Sequence, residues 1–372
     1  MGRVAVTDGM DEKAIEMITD NGHEVVVKHY TKEELLSGIL ADFDAVVVRS
    51  ATKLTSDVIK SSVNKQTGLK FIGRAGVGVD NIDIDAATKN NIVVCNTPRA
   101  STKSVVEITI AHLLASCRNI TTADRKLRDG VWAKKELVGT ELSGKSLGLI
   151  GYGRIAQGVG NIAKALGMNL HAYDPYVPKE IAKRNNCRLH NDVDSIFRMC
   201  THVSIHCNLT EETYHLVNSS RIDLMPGVGD DGIDCGNHLV NCARGGIVDE
   251  EAALEAMKSG QLSSLALDVF ESEPATSNPL FDNDNFHGTP HIGAATKEAQ
   301  ARIGIEMASL IIETLNGNKP KTSLNYIILC ILINESESIS NSLGILTLGI
   351  SVFNEIPLSF FNFHTSELKS IT

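Results

Sequence analysis

The chain has 372 residues, room for two domains or three at roughly 100–200 residues each. Its 42% apolar and 22% charged residues sit near the globular average and exclude wholesale disorder or a fibrous repeat. Against 45 acidic side chains stand 35 basic ones, a net charge of −10, which argues against a general binder of nucleic acid or anionic membrane. Any anionic ligand must be held by a few placed arginines or backbone amides.

The N-terminus, Met1-Gly2-Arg3-Val4-Ala5-Val6, runs straight into a strand-like stretch, with no apolar signal region and with Val6 where myristoylation prefers Ser or Thr. Arg3–Thr7, Glu24–Lys28 and Ala45–Arg49 are short, β-branched and polar-bounded, which reads as buried strands. Asp11–Asn21 and Lys32–Leu40 between them carry apolar residues at helical spacing, and Leu69–Arg74 and Ile92–Cys95 continue the alternation. That pattern implies a parallel sheet with right-handed crossovers. A long helix from about Thr102 to Arg118 is apolar on most sides, so it is expected to be buried or to pack at an interface.

A second series starts at Ser146–Ile150 and continues through Asn169–Tyr173, His202–Cys207, Leu239–Asn241 and Ala266–Val269, each separated by a helical pattern. A final helix, Thr296–Asn316, must pack back on the first unit. The expected fold class is α/β, with two doubly wound parallel-sheet lobes and a cleft between them. The eight cysteines form no Cys-x-x-Cys pair and no Cys/His metal spacing, so no metal is expected; reduced thiols in a cytoplasmic setting are. The longest apolar run, Tyr326–Ile333, has eight residues, well short of the roughly 20 that span a bilayer, so a soluble protein is expected.

Two constellations carry chemistry. Gly151-Tyr-Gly153-Arg154-Ile155-Ala156 follows a strand and opens a helix, the setting the dinucleotide fingerprint requires. Gly151 permits the tight turn, Gly153 lets backbone approach a pyrophosphate, and Ala156 allows close helix–strand packing. Asp174, 23 residues beyond Gly151, ends the next strand, where a carboxylate binds ribose hydroxyls and repels a 2′-phosphate, favouring NAD over NADP. The second constellation is Asn241-Cys-Ala-Arg244-Gly-Gly, Asp268-Val-Phe-Glu-Ser-Glu273-Pro and Thr289-Pro-His291-Ile-Gly293-Ala294, each at or beyond the C-terminal end of a strand. An Arg, a Glu and a His converging on one cleft suit hydride chemistry on a 2-hydroxy acid. The guanidinium fork binds a carboxylate, the imidazole takes the hydroxyl proton, and the carboxylate orients the imidazole.

These segments, together with Gly73-Arg-Ala-Gly-Val-Gly-Val-Asp-Asn-Ile-Asp83 and Ala266–Phe270, resemble the D-isomer-specific 2-hydroxyacid dehydrogenases over about residues 3–318. The resemblance implies a Rossmann cofactor domain (99–286) inserted in a flavodoxin-like substrate domain (1–98 and 287–318), with an unassigned tail at 319–372. It implies Arg244 as the substrate-orienting arginine, His291 as acid/base and Glu273 as its partner. It also places Arg154 and Ile155 at the pyrophosphate, Asp174 at the ribose, Cys207, Cys242 and Ala243 beside the nicotinamide, and Asp268 at the carboxamide. Gly293 and Ala294 form the loop after the catalytic histidine, and the Gly76-Val77 backbone touches both ligands.

Arg49 and Arg74 match the segments that supply phosphate- and carboxylate-binding arginines in the branch that oxidises 3-phosphoglycerate. The expected reaction is therefore NAD-dependent oxidation of 3-phospho-D-glycerate, the first step of phosphorylated L-serine biosynthesis. The rivals are a glycerate/hydroxypyruvate reductase and, in another class, a non-enzymatic NAD-sensing scaffold. The helix from 102 and Trp132 in the arm after it suggest a homodimer or higher homo-oligomer.

Three features depart from the family pattern. Asn208 replaces the usual proline after Cys207, and Asn tolerates the turn. Gly229–Asn237 reads as an inserted polar loop before the strand that carries Arg244; an odd register shift there would turn Arg244 out of the cleft. The tail has no clear period and no small-ligand regulatory domain, so feedback by serine is not expected.

Overall fold

Short β-branched runs bury on both faces when helices cover them, and that is how this chain folds. A computed structural model describes residues 1–63, 68–320 and 322–325. The first part runs β1 (Arg3–Val6), α1 (Glu12–Asp20), β2 (Glu24–Val27), α2 (Lys32–Leu36), β3 (Ala45–Val48), α3 (Ser56–Ser61), β4 (Phe71–Arg74), α4 (Ile84–Lys89) and β5 (Val93–Asn96). All neighbouring strands are parallel, in the order β2-β1-β3-β4-β5, which is the flavodoxin-like order.

Two helices, α5 (Thr102–Cys117) and α6 (Ile120–Arg128), lead to the second sheet. There the chain runs β6 (Ser146–Ile150), α7 (Arg154–Ala165), β7 (Asn169–Tyr173), α8 (Lys179–Arg184), β8 (Cys187–His190), α9 (Asp194–Met199), β9 (His202–Ile205), α10 (Ser219–Ile222), β10 (His238–Asn241), α11 (Glu250–Ser259), β11 (Ser264–Leu267) and β12 (Phe286–Gly288). Its parallel order is β12-β11-β10-β9-β6-β7-β8, the dinucleotide-binding arrangement with one further edge strand. Two strands escaped the sequence reading. Edge strand β8, Cys-Arg-Leu-His, is too polar to read as a buried run, and β12 has three residues. β12 also carries the second sheet to Gly288, past the boundary drawn at 286.

The apolar character of α5 is explained by its packing. Val105, Val106, Ile110 and Leu113 share a core with Leu149, Val159, Val240 and Ala266 of the second sheet and its helices. The last helix among the described residues, α12 (Lys297–Leu315), returns to the first sheet, where Ile303, Met307 and Ile311 join Val4, Val6, Val47 and Phe71. Each such buried aliphatic side chain stabilises by about 1.5–3 kcal/mol, which ties α12 to the first strands of the chain.

The polar loop before β10 is closed by the Gly229 amide to the Ile233 carbonyl (2.8 Å) and by a Val228–Asp234 bridge. Its Asp231 pairs with buried Lys145 (2.6 Å), and its Asp230 accepts from Asn169 (2.8 Å) and from Ser146. The loop is thus anchored at the N-terminal ends of β6 and β7. β10 keeps an unbroken register from His238–His202 to Asn241–Ile205. Residues 322–325, assigned to the tail by the sequence reading, lie along β5: Ser323 bridges Cys95, and buried Asn325 accepts from the Val94 amide (3.0 Å). The run Tyr326–Ile333 lies outside the described residues. Among those described, no helix is long and apolar enough to cross a membrane.

Candidate active site

Parallel strands present their C-terminal ends to one side, and the loops there carry the chemistry-bearing residues. On the cofactor side, β6 turns into α7 at Gly151, whose φ of +84° is left-handed and whose Cα faces the His206–Cys207 backbone so closely that any side chain would collide with it. Gly153 caps α7 with no side-chain acceptor for the first-turn N–H groups, and a Cβ built on it meets nothing within 4 Å. This is a cradle of unfilled donors that suits a pyrophosphate. The Asp174 carboxylate, just after β7, is fixed over that turn, accepting from the amides of Tyr152 (2.7 Å), Tyr176 (2.8 Å) and Val177 (3.2 Å). Arg154 reaches the Pro98 carbonyl (3.0 Å) and Ile155 packs on the α5 core. Burial pushes the Cys207 thiol up to about 11 and the buried Cys242 thiol up to about 12, so both are neutral surfaces at pH 7. These residues fit NAD.

Beyond β11 the chain builds a histidine–carboxylate pair. His291 Nδ1 donates to Glu273 Oε2 at 2.8 Å, so Nε2 is the ring nitrogen turned away from that carboxylate. Burial alone would raise the Glu273 carboxyl, but the hydrogen bonds from His291 and the Phe270 amide, with the charges of His291 and Arg244, hold it below the ordinary range. His291 itself sits at φ +53°, an uncommon conformation for a side-chain-bearing residue, and its amide donates to the Thr289 carbonyl (2.9 Å). Buried Asp268 clamps the loop. It accepts from Thr289 Oγ1 (2.6 Å), the Ile292 amide (2.8 Å) and the Gly293 amide (2.8 Å). Ala294 follows, its carbonyl held by Gln300 (2.7 Å).

Arg244 stands on the loop after β10, shaped by Asn241, which accepts from the Ala243 amide (2.9 Å) and donates to the Arg244 carbonyl (2.8 Å). Arg244 Nε donates to Asp80 on the first lobe at 2.8 Å, so the inserted loop has not turned it away from the cleft. Arg74, mostly buried, is pushed down to about 10 by burial first and then by the charges of Arg244 and Arg49, while Asp80 and Asp8 oppose the fall. Its Nε has no partner. Three guanidiniums thus repel one another where sequence reasoning expected a polyanionic substrate. Gly76 and Val77 lie beside them, their carbonyls fixed by the Thr97 amide (3.0 Å) and Asn96 Nδ2 (2.7 Å). Arg49 is placed through its backbone, with its amide on Asp8 (2.7 Å) and its carbonyl on Asn81 (2.7 Å).

Sequence reasoning missed these supports: Asp8, Asp80, Asn81, Asn96 and Asn241. Three of them stand inside quoted motifs, Asp80 and Asn81 in Gly73–Asp83 and Asn241 at the head of Asn241–Gly246, but a motif does not say which side chain or backbone group each will meet. It also missed two clusters whose members are far apart in sequence. Candidate ligand atoms of Cys117, His202 and His238, and of His215, Asp249 and Glu271, lie within 4.8 Å of one another. In the first cluster every ring nitrogen already has a protein partner: Cys117 Sγ (3.2 Å) and Thr201 Oγ1 (2.9 Å) on His202, Ser264 Oγ (2.7 Å) and the Cys235 carbonyl (2.9 Å) on His238. In the second, His215 Nε2 bonds Glu271 at 2.9 Å.

The family model described as "D-isomer specific 2-hydroxyacid dehydrogenase, NAD binding domain" matches residues 110–293. The D-3-phosphoglycerate dehydrogenase of Methanocaldococcus jannaschii is 46% identical over 87% of this chain and 60% of its own length. The chain therefore spans about 60% of that relative. The hydroxypyruvate reductase of Thermotoga maritima is 43% identical over 84% of this chain and 98% of its own length. A crystal structure of a protein from Thermus thermophilus superposes with a TM-score of 0.77 at 31% identity, covering 87% of this chain and 99% of that one.

Proposed function

Because this chain belongs to the family of D-isomer specific 2-hydroxyacid dehydrogenases, we propose that it oxidises 3-phospho-D-glycerate to 3-phosphohydroxypyruvate with NAD, the entry step of phosphorylated L-serine biosynthesis. The observation that carries this choice is the convergence of Arg49, Arg74 and Arg244, where burial and then the repulsion of the other two cations hold Arg74 down to about 10. In a protein of net charge −10, three cations gathered beside Asp80 and Asp8 suit a multiply charged anionic ligand.

Residues 1–98 and 289–318 form the substrate lobe and 99–288, through the end of β12, the cofactor lobe, with hinges near 98 and 288 that let them close and exclude water. Bound NAD supplies the hydride acceptor, resting on the Gly151–Ile155 turn, with Asp174 at the ribose, Cys207, Cys242 and Ala243 along the nicotinamide, and Gly293-Ala294 and Val77 at its edges. Asp268 Oδ2 accepts one N–H in the folded chain and keeps capacity for a carboxamide donor.

Arg49 and Arg74 hold the phosphate. Arg244 holds the carboxylate and the carbonyl that develops at C2, helped by the Gly76-Val77 backbone. His291 Nε2 takes the C2 hydroxyl proton as hydride leaves, and the Glu273 carboxylate on Nδ1 stabilises the imidazolium that results. Outside the cleft, Ile120, Leu127, Val131 and Trp132 are exposed on and after α6, and we assign this face to a homodimer contact.

A second reading, hydroxypyruvate or glycerate reduction, is favoured by the relative that the chain covers almost completely. NADH formation with 3-phosphoglycerate and D-glycerate side by side, at alkaline pH with hydrazine to trap the product, separates the readings. Turnover of 3-phosphoglycerate is expected. Turnover of glycerate alone moves the substrate, and NAD binding without turnover of either supports a non-enzymatic NAD-sensing scaffold.

A further inference from the structure

A guanidinium that must grip a carboxylate in one plane has to be held in that plane by something other than the substrate. Arg244 has five N–H donors. One, on Nε, goes to Asp80 Oδ2 at 2.8 Å; one, on Nη1, goes to the carbonyl of its neighbour Ala243 at 2.6 Å. The remaining donors, on Nη1 and Nη2, form the end of the fork. Beneath that end lies Gly78: a Cβ built there would overlap Nη2 of Arg244, so the guanidinium rests directly on the Gly78 backbone. Gly78 and Asp80 both belong to the loop after β4, on the first sheet, whereas Arg244 comes from the loop after β10, on the second. The surroundings would otherwise scatter this side chain. Arg74 feels the Arg244 and Arg49 cations, and Glu273, the partner of His291, is a second carboxylate within the field of Arg244.

We propose that Asp80 is a positioning residue for Arg244, and that Asp80 with the bare Gly78 backbone forms a seat on one lobe for the catalytic arginine of the other. The inference rests on the reading that Arg244 holds the substrate carboxylate. Its consequence is that Arg244 reaches working geometry only when the lobes face each other, so substrate grip and lobe closure are one event. Asp80 is more than half exposed, at 59% of its side chain, so the pair is not a buried ion pair on which the fold depends, and Asp80→Asn is expected to fold.

The experiment is a double-mutant cycle of Asp80→Asn with Arg244→Lys, Asp80→Glu serving as the conservative variant. Two readouts are taken: kcat and KM for the 2-hydroxy acid, and the dissociation constant of oxalate, a bare dicarboxylate, for the NADH-loaded chain. With Arg244 present, Asp80→Asn is expected to lower kcat/KM and weaken oxalate by about 10- to 100-fold, the range for a lost charged hydrogen bond. In the Arg244→Lys background, which lacks Nε, its further effect should stay below about 3-fold. Asp80→Glu should recover part of the loss, and NADH affinity and melting temperature should stay at parental values. An unchanged oxalate constant in Asp80→Asn, or an equal loss in both backgrounds, overturns the seat. A parent chain that binds oxalate through Arg244 and Asp80 but turns over no hydroxy acid refutes the proposed activity while upholding the seat.

Discussion

The two lobes are built on the same alternation of strand and helix, yet they solve different problems. The first sheet is filled by aliphatic side chains such as Val46, Val48, Ile72 and Val94, and its polar investment lies at the strand ends, where Asp8 and Asn81 hold the Arg49 backbone and Asn96 holds the Val77 carbonyl. The second sheet buries imidazoles: His112, His171, His202, His238 and His287 are all enclosed. Burial is the leading cause that lowers their proton affinity, reaching about 4 for His171 and for His287, each also disfavoured by a neighbouring histidine. On the proposed reading, the first lobe would recognise charge with cations at the edge of a dry frame, and the second would carry proton chemistry on a frame that is itself sensitive to protons.

Removing His291 should break this division most severely. His291→Ala is expected to lower kcat by about 10²–10⁴-fold while leaving NADH affinity near the parental value, measured by fluorescence titration; retained turnover would contradict the acid/base assignment. On the other lobe, Arg49→Ala should lower kcat/KM for 3-phosphoglycerate by about 10- to 100-fold and leave D-glycerate almost unaffected. Equal losses on both substrates would show that the first lobe does not read the phosphate.

Acid sharpens the same comparison. For a histidine held neutral by burial, the unfolded chain binds the proton first, so stability falls as pH drops from about 6.5 towards the folded value. At pH 5 the cost is about 2 kcal/mol for each of His171 and His287. Hydrogen exchange at pH 7.5 and pH 5 should therefore show protection lost from β6–β12 before β1–β5. Loss in the reverse order would mean that the buried imidazoles are not what limits acid stability. Glu273 adds a smaller term of the same sign, since its lowered carboxyl contributes stability that disappears only as pH falls through its folded value.

The smallest effect is expected at the inserted loop. Asp231→Asn leaves nearly buried Lys145 without its anion and should cost about 1–3 kcal/mol in denaturant unfolding, with kcat and KM unchanged, because the loop sits at the end of the sheet away from the cleft. A change in kcat would show that the loop reaches the site.

Local sequence determined much of this protein. Strand and helix periods gave both alternating series, since a residue's pattern of burial is set by its immediate neighbours along a strand or helix. The Gly151–Ala156 turn and the Arg244, Glu273 and His291 segments were legible because each needs particular residue types at fixed short spacing, and the structure brings His291 within 2.8 Å of Glu273. Strands β8 and β12 were not legible, because an edge strand needs little apolar surface and a three-residue strand has no period. Nor was the use of residues 322–325, where Thr322, Leu324 and buried Asn325 all bond to β5, Asn325 across 231 residues of sequence. The meeting of Asp80 with Arg244, 164 residues apart, and the gathering of Cys117, His202 and His238 at the start of neighbouring strands were decided by tertiary structure alone. Such contacts depend on the order in which parallel strands assemble, and no local pattern of side chains encodes which strand will become which strand's neighbour.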